Sequence, residues 1–325
     1  MPRQQNEKLP FGSIATLVGT RIPHGLLSVW AIYFITHASS TRIWGQDQTN
    51  DYKRRTLILC LYKDLFNVGY ERIIKSVNPG FQLRSKTLRH NTKLTRKILS
   101  EWSRNQIINE GRRVWDDHRG MLPSRVGLHE VNLLIDSTDF RRSGKQSMST
   151  KDHRWSYKVN GPGQRYTVVM DARGIIQKIW GGYSPKLYDG DWLKLCAGDL
   201  LSNFRGAHII GDVHYELGNG IMKGIEPSPS VKFYVPFSEP RGRKQKRTPT
   251  VEDPSLGFSK LTKTQLSWNL KISKLRAQVE SPFGRVKSKW EALGGVFYED
   301  EDQQDLLVQI AFGVENWIIR HPNNQ

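Results

Sequence analysis

Cysteine is scarce: Cys60 and Cys196 are the two in 325 residues, and each sits in an apolar run. That excludes a disulfide framework and a cysteine-based zinc site, and it fits a reducing compartment. Long hydrophobic runs are also missing. The stretch GLLSVWAIYFITH (25–37) spans thirteen residues, where a membrane helix needs roughly 20. Arg21 and Pro23 interrupt any upstream extension, and the run starts late and lacks the cleavage pattern of a secretory signal. It reads as a buried helix or strand, or as poorly conditioned N-terminal sequence, and no membrane partner is expected.

Acid is in deficit. Asp and Glu number 31 against 49 Lys and Arg, a formal charge of +18 spread over several segments. Such an excess fits a polyanionic partner, above all nucleic acid, more closely than an unspecialised basic surface. With 37% hydrophobic residues the chain has enough apolar side chains for a core, at a length that fits about two domains.

Residues 1–50 form an N-terminal segment with no assigned role. Helical periodicity begins at Arg54. RRTLILCLYKDLF (54–66) and YERIIKSV (70–77) are short amphipathic helices, and SKTLRHNTKLTRKILSEWSRNQI (85–107) is a longer one that Ser85 can cap. Its polar face carries Lys86, Arg89, Lys93, Arg96 and Lys97. Three helices with short turns, within residues 51–125, suggest a small all-α, helix-turn-helix-like module; a purely structural bundle has the same pattern.

From residue 126 to 325 the period switches to two and back. VNLLID (131–136), RWSYKVNG (154–161), QRYTVVMDARG (164–174) and IIQKIWGGY (175–183) read as strands, and DGDWLKLCAGDLLSNF (189–204) as a helix with acids in its first turn. AHIIGDV (207–213) and VKFYVPF (231–237) are further strands. A basic, proline-containing loop at about 238–260 precedes a long helical region from about 262 to 291 and a closing helix over 305–321.

Asp136 and Asp212 each end a hydrophobic strand, and open sheets with helical cover place their chemistry at the carboxyl ends of strands. The stretch KLRAQVESPFGRVKSKW (274–290) holds a lone carboxylate, Glu280, in a basic run. Taken singly, a strand-end acid is more often a turn or cap residue. Together the three acids make a hard-oxygen set for Mg²⁺ or Mn²⁺. Three close carboxylates stay ionised only with a cation among them, and two divalent ions would activate a water or 3′-hydroxyl and stabilise a leaving oxygen. Asp139 and Asp189 are candidate supporting groups, and His214 a hydrogen-bonding neighbour; Asp171 reads as a hairpin turn residue.

The strings LLIDSTDFR, YKVNGPGQRYTVVMDARGII, YDGDWL, GDVHYELG and RAQVESPFGRVKSKW resemble the DDE endonuclease domain of PIF/Harbinger-type transposases and their domesticated relatives. The resemblance covers about 131–320, and 54–107 resembles the helical module that often precedes it. It implies an RNase H-like mixed sheet flanked by helices, and three acids that bind two Mg²⁺ ions to cut DNA and join strands. The first acid falls on Asp136, the second on Asp212, the third on Glu280, and Asp189 matches a further acid of the family. Ser137-Thr138 stands where the family usually has Gly-Thr, and Asp212-Val213-His214-Tyr215 where it has a DSGY-like string. The acid spacings, 212 − 136 = 76 and 280 − 212 = 68, leave room for inserted loops.

The basic string RGRKQKR (241–247) has two readings, nuclear import or a clamp on the DNA backbone through Arg241, Arg243, Lys244, Lys246 and Arg247. On the helix of Glu280, Arg276 lies four residues before and Lys287 seven after, on roughly the same face, while Phe283 and Val286 pack on the sheet. Trp155, Trp180, Trp192 and Trp290 serve packing more readily than base stacking. Pro282 lacks an N–H, so a kink or break is expected within a residue or two of Ser281.

The expected protein is therefore a Mg²⁺-dependent DNA endonuclease and strand-transfer enzyme acting on terminal repeats and a target site, in the nucleus, or in the cytoplasm if the source is prokaryotic. A second copy of the chain and a separate DNA-binding protein are the expected protein partners. The rival reading is a domesticated, non-catalytic DNA-binding protein that keeps the fold, and a third is an RNase H-like nuclease acting on RNA or hybrids.

Overall fold

The computed structural model describes residues 11–40, 49–76, 84–108, 133–144, 150–171, 173–225, 231–238 and 261–322. Residues 239–260, nearly all of the expected basic loop with Arg241, Arg243, Lys244, Lys246 and Arg247, lie outside the described residues, as do 1–10 and 109–132.

The helices α1 (Phe11–Gly19), α2 (His24–Ser40), α3 (Asn50–Phe66), α4 (Tyr70–Ser76) and α5 (Ser85–Ile108) come first. The apolar run at 25–37 is helical, with Leu26, Trp30 and Phe34 fully buried at four-residue spacing. No helix among the described residues is long and apolar enough to cross a membrane. Thr49 caps α3 by accepting from the Tyr52 N–H, and Asn67 ends it in the left-handed region at φ 48°. Strands β1 (Leu133–Arg141), β2 (Trp155–Ser156), β3 (Gly161–Asp171) and β4 (Ile176–Tyr183) follow, then α6 (Asp189–Asn203), β5 (His208–Ile210), a 3₁₀ turn (Val213–Tyr215), α7 (Gly218–Ile225) and β6 (Lys232–Tyr234). The chain continues with α8 (Lys263–Lys289), α9 (Glu291–Gly294) and α10 (Glu301–Arg320).

The fold is mixed α/β. Sheet order is β2-β3-β1-β5-β6, with β4 also paired to β3. The pairs β1–β5 and β5–β6 are parallel, whereas β2–β3 and β3–β4 are antiparallel. The link from β5 to β6 runs through α7, as a parallel pair requires.

By internal contacts the chain forms two compact units: one of Met1–Gly111, Ser137–Lys186 and Ser281–Gln325, the other of Arg112–Asp136 and Leu187–Glu280. In the first unit the N-terminal helices group with the antiparallel strands and the last helices. There α10 packs on α5 so closely that a Cβ on Gly313 would lie 2.6 Å from the Ser103 side chain, so only glycine fits. Trp30 meets Trp102 edge-on at 5.4 Å, and Phe283 and Phe140 both meet Phe312. Asn316 of α10 brackets Ile176 on β4, accepting from its N–H at 2.7 Å and donating to its carbonyl at 2.8 Å.

The strand expected to end at Asp136 runs five residues further. Its polar continuation is buried because each group finds a partner: Ser137 Oγ lies 2.8 Å from Thr167 Oγ1, and Asp139 accepts from Ser156 Oγ at 2.6 Å and Arg165 Nε at 2.9 Å. The other expected strand at 154–161 shrinks to the two residues of β2.

In the second unit, β5 and β6 carry α6 and α7 against them. Trp192, Tyr215 and Phe233 pack ring against ring, and Asn219 holds both backbone groups of Phe233. The N-terminal part of α8 is fixed to the chain after β6. Trp268 Nε1 donates to the Val235 carbonyl at 3.0 Å, and Asn269 bonds both the N–H and the carbonyl of Phe237.

Helix α8 is continuous through Pro282, so of the kink or break expected near Ser281 the break does not occur. Phe283 and Val286, one and four residues beyond Pro282, are buried.

Candidate active site

Asp136 stands in the middle of β1, and Asp212 stands just past β5. The parallel register pairs Leu133 with Ile209 and Leu134 with Ile210. Extended by two residues on each strand (136 − 134 and 212 − 210), it sets Asp136 across from Asp212, both on the face where Leu134 and Ile210 point.

Asp212 does a local job as well. It caps the 3₁₀ turn, its Oδ1 accepting from the His214 N–H at 2.6 Å, while the His214 ring lies edge-on to Tyr188 at 5.7 Å. The residue before it has to be small: a Cβ on Gly211 would lie 2.8 Å from Cδ2 of the buried Tyr215. Sequence reading singled out the acid but not this glycine, whose signal was its place between a β-rich run and an acid.

The cation between the two acids is Arg276 of α8. Its Nη2 is 3.9 Å from Asp136 Oδ2 and 3.8 Å from Asp212 Oδ2, with the three side chains 25%, 15% and 23% exposed. At about 4 Å each opposite-charge contact is worth roughly 4 kcal/mol in a medium of effective dielectric ~20, before desolvation. A positive charge is therefore what allows the two carboxylates to stand together.

Those carboxylates fit a hard divalent cation by the same logic: two oxygen donors that converge where positive charge is already required. Glu280 lies one helical turn beyond Arg276 and is exposed. Among the described residues no three His, Cys, Asp or Glu side chains gather closely enough to hold a metal ion, so the third acid does not close on the pair in this structure.

The remaining candidates sit elsewhere. Asp139 lies at an odd separation from Asp136 along β1, which turns it to the opposite face, where Arg165 and Ser156 take up its carboxylate. Asp189 opens α6. Asp171 behaves as a turn residue, its Oδ1 accepting from the N–H groups of Arg173 and Ile175. Lys287 donates to Thr138 Oγ1 at 2.8 Å, and burial, outweighing the pull of Asp139, lowers its ammonium below the ordinary lysine range. Trp180, Trp192 and Trp290 are buried.

Of the basic face expected on α5, Arg96 is not available to a partner. It is 1% exposed, donating to Asp64 through Nε at 2.9 Å and through Nη2 at 2.5 Å, and to Glu299 Oε2 through Nη1 at 2.7 Å. Lys63 pairs with the same Glu299 at 2.7 Å. Lys93 reaches Asp300 at 2.8 Å, Arg89 lies over the Tyr70 ring at 5.4 Å, and both line a cavity of about 430 Å³ with Lys63 and Glu299. Lys97 lines a second cavity, of about 330 Å³, with Arg104 and Asp302.

A family model for the transposase DDE domain matches residues 128–312. Among solved structures the chain is similar to the piggyBac transposase in a cryo-EM synaptic complex with hairpin DNA, at 11% identity and a TM-score of 0.41, over 97% of this chain and 71% of that one; a likeness so loose carries no argument. No curated protein matches.

Proposed function

Because the chain belongs to the transposase DDE domain family, whose model covers more than half of it, we propose that it is the DNA endonuclease and strand-transfer enzyme of a PIF/Harbinger-type element, working in an RNase H-like domain. The observation that carries this reading is the convergence of Asp136 and Asp212 from neighbouring parallel strands on the guanidinium of Arg276.

Asp136 and Asp212 would hold Mg²⁺ or Mn²⁺ in the two-ion manner, with Glu280 of α8 joining them. Bound there, the ions supply an activated water or 3′-hydroxyl and stabilisation of the leaving oxygen of a phosphodiester. The chain's own residues do the rest. The capped turn after β5 fixes the Asp212 carboxylate, β1 fixes that of Asp136, and Arg276 offers a guanidinium whose planar fork matches a phosphate. The DNA partner is supported by the charge of +18. Nuclear import rests on the string at 241–247, and a second copy of the chain or a separate DNA-binding protein would complete recognition of the repeat ends.

The test is Mg²⁺-dependent cutting of the inverted repeats flanking the chain's own gene, by wild type and by Asp136→Asn, Asp212→Asn and Glu280→Gln. Loss of cutting in all three with DNA binding retained supports the reading. Cutting retained by any of them removes that acid from the site. A wild type that binds the repeats and never cuts them is the domesticated relative.

A further inference from the structure

Arg276 is positioned like a stand-in cation, yet nothing among the described residues holds it tightly. Its two contacts with the acids, at 3.9 and 3.8 Å, are too long for hydrogen bonds, and its Nε is buried with no hydrogen-bond partner among the described residues. A guanidinium placed by charge alone, with a donor unsatisfied, gives up little on leaving. A phosphate offers it the bidentate hydrogen bonds it lacks. Glu280, one turn on, is the lone carboxylate within the seventeen residues 274–290, so α8 itself gives Arg276 one other acid to turn to.

We infer that Arg276 is the resting counter-ion of the Asp136–Asp212 pair and that it makes metal loading depend on DNA. Without DNA its charge occupies the place where a divalent ion must bind, so metal and guanidinium compete for the same two carboxylates. When a phosphodiester arrives, the guanidinium moves to it and leaves the place between the two carboxylates to the metal. Metal and DNA then strengthen each other's binding, by the same factor in both directions. The inference rests on the reading of Asp136 and Asp212 as metal ligands; what it adds is the order of assembly and the residue that enforces it.

The experiment is calorimetric titration of the full chain with MnCl₂, with and without a short duplex of the repeat end. Wild type, Arg276→Gln, Arg276→Lys and Asp136→Asn are compared, with the fold of each checked by circular dichroism. In the absence of DNA, Arg276→Gln binds Mn²⁺ about fivefold or more tighter than wild type. Wild type gains a similar factor when the duplex is added, and Arg276→Gln does not. Arg276→Lys, with a compact charge in place of the fork, falls between them; should Arg276→Gln fail to fold, this variant carries the test. Equal Mn²⁺ affinities in wild type and the folded arginine variant, with equal gains from DNA, overturn the inference and leave the metal site standing. Undiminished Mn²⁺ binding by Asp136→Asn overturns both.

Discussion

Asp136 and Asp212 stand two residues beyond the same rung of parallel sheet, Leu134 against Ile210, and face one guanidinium from there. Each is partly exposed, asparagine at 212 keeps an oxygen to cap the turn after β5, and removing one carboxylate charge relieves its repulsion with the other. Asp136→Asn and Asp212→Asn are therefore expected to lower divalent-dependent cutting by about a hundredfold or more. Their unfolding free energies from urea titration should stay within about 1 kcal/mol of wild type. A matched loss of stability and activity would place them in the scaffold instead.

Gly211 sets where Asp212 begins its turn. In Gly211→Ala the new methyl meets Tyr215, which is wedged between Trp192 and Phe233 and has little room to yield. The expected cost is about 1–3 kcal/mol. Mn²⁺ affinity should weaken too, because the displaced turn carries the carboxylate. Calorimetry on the folded fraction separates the two effects.

Arg96 and Lys97 are neighbours on α5 with opposite fates. Arg96→Leu leaves Asp64 and Glu299 buried without their principal partner and should destabilise by about 3–5 kcal/mol. Lys97→Ala should leave the melting temperature nearly unchanged and lower affinity for any duplex, with a salt dependence shallower by about one unit if Lys97 meets a phosphate. Denaturation curves and binding isotherms across a salt series check both.

Much of this was legible from the chain alone, and the exceptions share a cause. Helices α3 to α6 followed from apolar spacing and their turn residues, and the parallel strands from short β-rich runs. β1 looked finished at Asp136 because Ser137, Thr138 and Asp139 are polar. Their partners Thr167, Lys287 and Arg165 are 30, 149 and 26 residues away, beyond any local pattern. Arg96 looked like one more cation on a basic face, since helical spacing cannot show that Asp64 and Glu299 close over it. Arg276 was recognisable as a helix-mate of Glu280, but its place between two strand acids is a product of the tertiary fold. Pro282 suggested a kink or break, and the helix is continuous through it.

Glu299 gives the acid side of the stability profile. Burial works to raise its carboxyl, but Arg96 and Lys63 outweigh burial and hold it down at about 2, below the ordinary 4.5. A depressed carboxyl favours the folded state above pH 4.5, and that contribution drains away as the pH falls toward 2. Held at about 2 in place of 4.5, the carboxyl contributes on the order of 3 kcal/mol. Melting temperature should fall across this window in wild type and fall less in Glu299→Gln, which starts lower.

The same cluster bears on how the protein looks from a distance. Lys63, Arg96, Asp64 and Glu299 sum to zero charge. Beyond about 8 Å of physiological electrolyte, two cations locked against two anions are nearly silent. Their burial removes nothing from the excess of eighteen: the whole of it falls to the rest of the chain, and it is that outer field which an approaching polyanion would meet first.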